Sequence, residues 1–418
     1  MSTRRIVIVG ASLAGVSVAA QLRARGDASE IVIVGDEGAL PYDRPPLSKQ
    51  FLDRGHPLPV ERTLLRSPQW YQQNRIELWT GASAEALDVA QRVVRLSDGR
   101  ALPGDEIVVA TGARPRQLPE FPPGQRVFYV RTLGDAECFR AFLPARGRLV
   151  VVGAGFIGLE LAAVAATWGW QVIVLEKSDS PLSRVLPAEL GMLCAAPLLR
   201  AGVRLLCGAG IVSVRHGDER SAIGLASGEL IECDAVVVGV GTVPNVEWLA
   251  GSGLADPDGV PCDDRGSTAV PGVWAVGDVA RWYNRWTGSQ MRTEQWTAAR
   301  EQAVITGDAL SGRPSGSAVP EWSAPPYFWS DLLGVKIQFA GQSPAVAQVL
   351  TAHSGGASIS FIGDELAPTA VLGIQAPRVM AHARTVLVND GTWAGARQWL
   401  ASASLTPQPA VLLPVGPS

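Results

Sequence analysis

The stretch from Leu149 to Glu176 restricts the fold more than any other part of the chain. An apolar run, Leu149-Val150-Val151-Val152, leads into the turn Gly153-Ala154-Gly155-Phe156-Ile157-Gly158. An alanine-rich helix follows, then a second apolar run from Val172 to Leu175 that ends at Glu176. A buried strand, a glycine turn opening a helix, and a returning strand make a complete dinucleotide-binding βαβ unit. Gly153 permits the tight turn, Gly155 lets the main chain approach a pyrophosphate, and Gly158 lets helix and strand pack closely. The N–H groups of the helix start, including that of Ile157, face the phosphate charge. Glu176 stands where a carboxylate takes the hydroxyls of an adenosine ribose and repels a 2′-phosphate, so NADH is expected over NADPH.

The same order of elements opens the chain. Ile6 to Val9 feed Gly10-Ala11-Ser12-Leu13-Ala14-Gly15 and a helix to about Arg25, and a strand from Ile31 to Val34 ends in Gly35-Asp36-Glu37. Serine replaces the middle glycine, adding one small side chain at the phosphate approach, and Asp36 stands at the ribose position. One chain is therefore expected to carry two dinucleotides on an α/β fold with two Rossmann-like domains.

Composition narrows the setting. At 418 residues, with 47% hydrophobic and 18% charged residues, the chain has room for two or three domains of an ordinary soluble protein. A net charge of −3 supplies no global basic field for nucleic acid or an anionic membrane. The cysteines (Cys138, Cys194, Cys207, Cys233, Cys262) form no C-x-x-C pair, which argues against a disulfide framework, a zinc site or a local redox dithiol. No bound metal is expected. Arg4 and Arg5 precede a strand too short for a signal-peptide core, and no run approaches the roughly 18 apolar residues of a membrane span. A cytoplasmic setting follows as the expectation.

The segment Leu40-Pro41-Tyr42-Asp43-Arg44-Pro45-Pro46-Leu47-Ser48-Lys49 is the most distinctive in the chain. With the two glycine turns, it resembles the FAD-containing, NADH-dependent ferredoxin reductases of the putidaredoxin reductase and aromatic-ring dioxygenase type, within the glutathione-reductase-like flavoproteins. The resemblance covers most of the chain and is strongest over residues 1–300. It implies that Arg44 and Pro45 frame the isoalloxazine, that Lys49 lies near it, and that Glu160 approaches both the nicotinamide and Lys49. It also implies FAD contacts from Ala84, Arg131 and Trp296. Strands ending in Ala110-Thr111-Gly112 and in Gly239-Val240-Gly241 resemble that family's crossovers between its domains, and Gly277-Asp278 resembles its second FAD fingerprint. The implied domains are FAD-binding residues 1–114 and 241–322, an inserted NAD domain at 115–240, an α+β C-terminal domain at 323–407 and a loose proline-rich tail at 408–418. Trp168 and Trp170 are expected to pack within the NAD domain.

The resemblance also implies the chemistry: hydride from NADH to FAD, then single electrons to a [2Fe–2S] ferredoxin that supplies a haem monooxygenase or a ring-hydroxylating dioxygenase. Lys49 and Glu160 are the expected catalytic pair. A disulfide reductase or a dioxygen-using oxidase on this scaffold would need a cysteine near the flavin, and residues 36 to 55 hold none. The alternatives on the same scaffold are an FAD/NADH-binding oxidase, although such oxidases usually depend on that cysteine, and a redox-controlled interaction protein. Arg281, Arg285, Arg292 and Arg300, interleaved with Trp282, Tyr283, Trp286 and Trp296 and opposed by Glu294 alone, read as a local positive patch where an acidic ferredoxin would dock.

Overall fold

A computed structural model describes residues 4–124, 126–311, 320–344, 346–403, 406–407 and 411–414. The chain divides into two units. The first holds residues 1–44, 59–114 and 242–326, and the second holds 45–58, 115–241 and 327–418.

The first unit is built on a five-stranded parallel sheet in the order Val273–Ala275, Glu106–Val109, Arg5–Val9, Glu30–Val34, Ile76–Trp79. Its central strands are near-continuous Val/Ile runs because both faces are covered, as parallel sheets require. Val7 pairs with Val32 on one side and Ile107 on the other, and all three are buried. The helices Leu13–Ala24 and Trp296–Leu310 pack against each other. Two small sheets belong to the same unit: an antiparallel one, Ala84–Asp88 with Val93–Leu96 and Ala101–Pro103, and a mixed one in which Ala280–Asn284 lies parallel to Val260–Cys262 and antiparallel to Ser289–Arg292.

The second unit repeats the plan: Arg204–Leu206, Gln171–Leu175, Arg148–Val152, Ala235–Val238 and Val127–Phe128 lie parallel in that order. The same unit contains an antiparallel sheet in which Tyr327–Leu332, Val335–Gly341, Pro368–Ile374, Ala357–Gly363 and Val346–Ser354 are successive neighbours. Two helices accompany it, Pro377–Asn389, which packs on its Pro368–Ile374 strand, and Trp393–Ser402. The expected loose tail instead supplies an antiparallel edge strand, Val411–Pro414 beside Val346–Val349, while 408–410 and 415–418 lie outside the described residues.

Residues 45–58 belong with the second unit because they pack on its helix Phe156–Thr167 and on Trp168. The Trp168 indole donates to Leu52 O at 2.9 Å, and the Arg54 guanidinium sits over the Trp168 ring. Trp170 is buried and donates to Leu143 O. Among the described residues no helix is long and apolar enough to cross a membrane, and no cluster of His, Cys, Asp and Glu could hold a metal ion.

Candidate cofactor sites and the buried ion pair

The two glycine turns match contact for contact. Gly10 has φ +128° and its N–H donates to Val34 O at 2.7 Å; Gly153 has φ +100° and donates to Leu175 O at 2.7 Å. A Cβ at Gly10 would lie 2.0 Å from Ala110 O, and one at Gly153 would lie 2.4 Å from Gly239 O. A Cβ at Gly15 or Gly158 would strike the carbonyl of Gly10 or Gly153, at 2.1 and 2.2 Å. Both positions are therefore closed to any side chain. Gly155 differs, since its Cβ would meet nothing nearer than 4.0 Å and its main chain is exposed. Ser12 occupies the corresponding place with an extended backbone (φ −128°), so serine fits without strain.

Neither helix is capped by its own chain. Leu13–Ala24 and Phe156–Thr167 begin at Ser12 and Gly155 with no side-chain cap and no acid in the first turn. Uncapped N–H groups at two helix starts, without the carboxylates that usually accompany them, suit the pyrophosphates of two dinucleotides. Ile157, 47% exposed, lies beside the open approach at Gly155. Glu176 Oε2 accepts from Ala154 N–H at 2.7 Å and Oε1 from Ser178 N–H at 2.8 Å, which aims the carboxylate while leaving a lone pair on each oxygen for ribose hydroxyls.

In the first unit Asp36 is exposed at the end of its strand, whereas its neighbour Glu37 accepts from Tyr42 Oη and from Arg44 at 2.6 Å. Arg44 also reaches Ser12 Oγ at 3.4 Å. Thr111 and Asn245 join the two crossover strands: Thr111 Oγ donates to Asn245 O and Asn245 Nδ2 to Thr111 O, both at 2.8 Å. Gly112 O accepts from Asn245 N–H. Gly277 and Asp278 form a short turn after the strand Val273–Ala275. A Cβ on Gly277 would lie 2.9 Å from Ala14 Cβ, so the turn closes on the first helix. The Trp296 indole donates to Asp43 at 2.7 Å. Burial pushes the Asp43 carboxyl up, and that indole bond partly offsets the push. Ala84 lies at a bulge in the small sheet, and Ala82 is the residue that donates to the β-strand end at Gly35 O.

In the second unit Gly241 (φ +103°) accepts from Arg116 N–H, and the Arg131 main chain donates to Asp135 ahead of the helix Leu133–Phe142. Lys49 and Pro45 belong to this unit. Lys49 Nζ lies 2.8 Å from Glu160 Oε1, with the two side chains 12% and 2% exposed. Ser48 Oγ donates to Glu160 Oε2 and Ser330 Oγ to Glu160 Oε1, each at 2.5 Å. A buried carboxylate needs this many donors to remain ionised away from water. Ser330 carries no motif in the sequence; only period-two alternation in Tyr327-Phe328-Trp329-Ser330 would have turned it toward the helix.

The positive patch expected at residues 281–300 is not one. Arg281 pairs with Asp256 at 2.7 Å and Asp258 at 3.3 Å, Arg285 with Asp264 at 2.5 Å and Glu321 at 2.9 Å, and Arg292 with Glu294 at 2.7 Å. Counting charge along the chain missed acids that arrive from other loops. Trp282 is fully buried and donates to Ala275 O, so it belongs to the core.

All five cysteines are free. Burial pushes the Cys194 and Cys233 thiols up to about 12, far from a thiolate at neutral pH.

Residues 4–303 match the model of the pyridine nucleotide-disulphide oxidoreductase family. The chain belongs to that family. It is 35% identical to rhodocoxin reductase of Rhodococcus erythropolis over 394 residues, 92% of this chain and 90% of the relative. It is 34% identical to the ferredoxin–NAD(+) reductase component of the p-cumate 2,3-dioxygenase system of Pseudomonas putida, across 91% of this chain and 92% of that one. Its backbone is similar to that in the crystal structure of the covalent putidaredoxin reductase–putidaredoxin complex, with a TM-score of 0.88 and 31% identity over 96% of this chain and 99% of that one. This family member is thus an α/β flavoprotein oxidoreductase of the ferredoxin reductase type, with FAD and NADH as its cofactors.

Proposed function

We propose that the chain takes electrons from NADH and passes them through FAD to a [2Fe–2S] ferredoxin that serves a haem monooxygenase or a ring-hydroxylating dioxygenase. The observation that carries this reading is a buried ion pair in a chain with two cofactor turns and no cysteine between residues 36 and 55. Electrons have no thiol within that segment to reduce, so they leave to an outside acceptor.

Bound FAD would supply the chemistry that links a two-electron donor, NADH, to a one-electron acceptor. The chain's residues bind and tune. Gly10, Ser12, Ala14, Gly15 and Asp36 hold one dinucleotide with Arg44, Thr111, Gly112, Gly277, Asp278 and Trp296. Gly153, Gly155, Ile157, Gly158, Glu176 and Gly241 hold the other. Lys49 supplies a fixed positive charge that stabilises negative charge as it develops, and Glu160 keeps that charge in place. Reduced free thiols fit a cytoplasmic location. The test is anaerobic: purified protein releases FAD on acid precipitation, and NADH bleaches the flavin of the native protein within seconds. A colourless protein that FAD fails to reconstitute overturns the reading.

A further inference from the structure

Glu160 is the most enclosed ionisable group of the proposed site, and its donors come from three separate segments. Glu160 lies on the helix Phe156–Thr167, Ser48 and Lys49 follow the proline-rich turn, and Ser330 lies on the strand Tyr327–Leu332 of the C-terminal sheet. The helix and the strand meet along matched faces. Phe156 and Glu160, one turn apart, face Phe328 and Ser330, two residues apart: the Phe156 and Phe328 rings lie 4.6 Å apart, and the Ser330 hydroxyl reaches Glu160 Oε1 at 2.5 Å. Oε1 is also the oxygen that holds Lys49 Nζ.

Ser330 is fully buried, and so is Leu332, the next residue on the same face of its strand. A hydroxyl costs free energy in such a place unless it is bonded, and an ionised carboxylate only accepts, so the Ser330 proton points at Glu160. With Ser48 on Oε2 and Ser330 on Oε1, rotation of the carboxylate is locked from both sides.

We propose that Ser330 is a positioning residue, supplied by the C-terminal sheet, which fixes the Glu160 carboxylate and through it the Lys49 charge. This rests on the reading of Lys49 and Glu160 as the charge-stabilising pair. Removing the hydroxyl frees Oε1 to turn, so Ser330→Ala behaves as a partial Glu160→Gln.

The experiment uses the FAD-loaded full chain. Stopped-flow reduction by NADH gives the limiting rate and the apparent Kd, and anaerobic dye titration gives the midpoint potential of bound FAD. Ser330→Ala is expected to lower the limiting rate about 3- to 10-fold with the Kd within twofold. It should move the potential in the direction that Glu160→Gln moves it, by a smaller amount. In the Glu160→Gln background the serine substitution adds nothing to either quantity. Ser360→Ala, which removes a buried hydroxyl that bonds Thr351 in the same sheet, is expected to leave both unchanged. Equal effects of Ser330→Ala with and without Glu160, or none in either, overturn the proposal. If Glu160→Gln and Lys49→Met are themselves silent, the failure lies in the reading of the pair.

Discussion

Replacing Lys49 with methionine keeps the length and the apolar stem of the side chain and removes the charge, so it isolates the ion pair. At 2.8 Å and an effective dielectric constant of about 20, the gross attraction is about 6 kcal/mol. Desolvating the two ions consumes most of it, and the net worth of the intact pair is small. Breaking the pair is another matter, because Glu160 stays buried with its charge unanswered, at a cost of about 3–5 kcal/mol. The hydroxyls of Ser48 and Ser330 remain, each worth about 1.5–3 kcal/mol to a charged acceptor, so the variant folds with reduced stability. Flavin reduction should suffer more than NADH binding, since the lysine charge matters as negative charge develops. A loss of 1.4–2.8 kcal/mol there corresponds to about 10- to 100-fold in limiting rate, with the NADH Kd within about threefold. Stopped-flow absorbance under anaerobic conditions separates the two quantities. An unchanged limiting rate in a folded, FAD-loaded variant refutes a catalytic role for Lys49 and leaves it a structural one.

Glu176→Ala should narrow the preference for NADH over NADPH by about 10- to 100-fold, mainly by weakening NADH, because the carboxylate also anchors Ala154 N–H in the glycine turn; unchanged kcat/KM ratios for the two nucleotides contradict this. Arg281→Gln with Arg285→Gln should lower Tm slightly, because ion pairs this open to solvent are each worth little, and should leave NADH-to-ferricyanide turnover unaltered. A raised KM for ferredoxin with no loss of stability would return these arginines to docking. Asp43 has its carboxyl raised by burial, so the folded state binds its proton more tightly than the unfolded state; its contribution is full below the ordinary carboxylate range and is lost as pH rises through the folded value. Asp43→Asn, which keeps an acceptor for Trp296, should therefore gain in Tm relative to the parent between about pH 3 and pH 7, and parallel Tm curves would contradict the assignment.

The parallel sheets and glycine turns were legible because each depends on local pattern: a Val/Ile run, closed glycine positions and an acid at the next strand end. Lys49 and Glu160 were reachable through a motif and a resemblance. Ser330 was not, because a lone serine in an aromatic strand announces nothing until helix and strand are laid side by side. The arginine patch misled for the converse reason. Asp256, Asp258, Asp264 and Glu321 lie between 20 and 40 residues from the arginines they neutralise, and sequence counting sees only what is adjacent. The placement of 45–58 with the second unit likewise depends on Trp168 and Glu160 packing against that segment, which no periodicity encodes.

Electrons are expected to leave this chain to a [2Fe–2S] ferredoxin. The most direct measurement mixes the FAD-loaded protein anaerobically with NADH and a panel of purified [2Fe–2S] ferredoxins and follows the visible absorbance of the cluster. At least one ferredoxin is expected to be bleached catalytically, at a rate that saturates with its concentration. Rapid NADH turnover with ferricyanide alongside no reduction of any ferredoxin in the panel would contradict it.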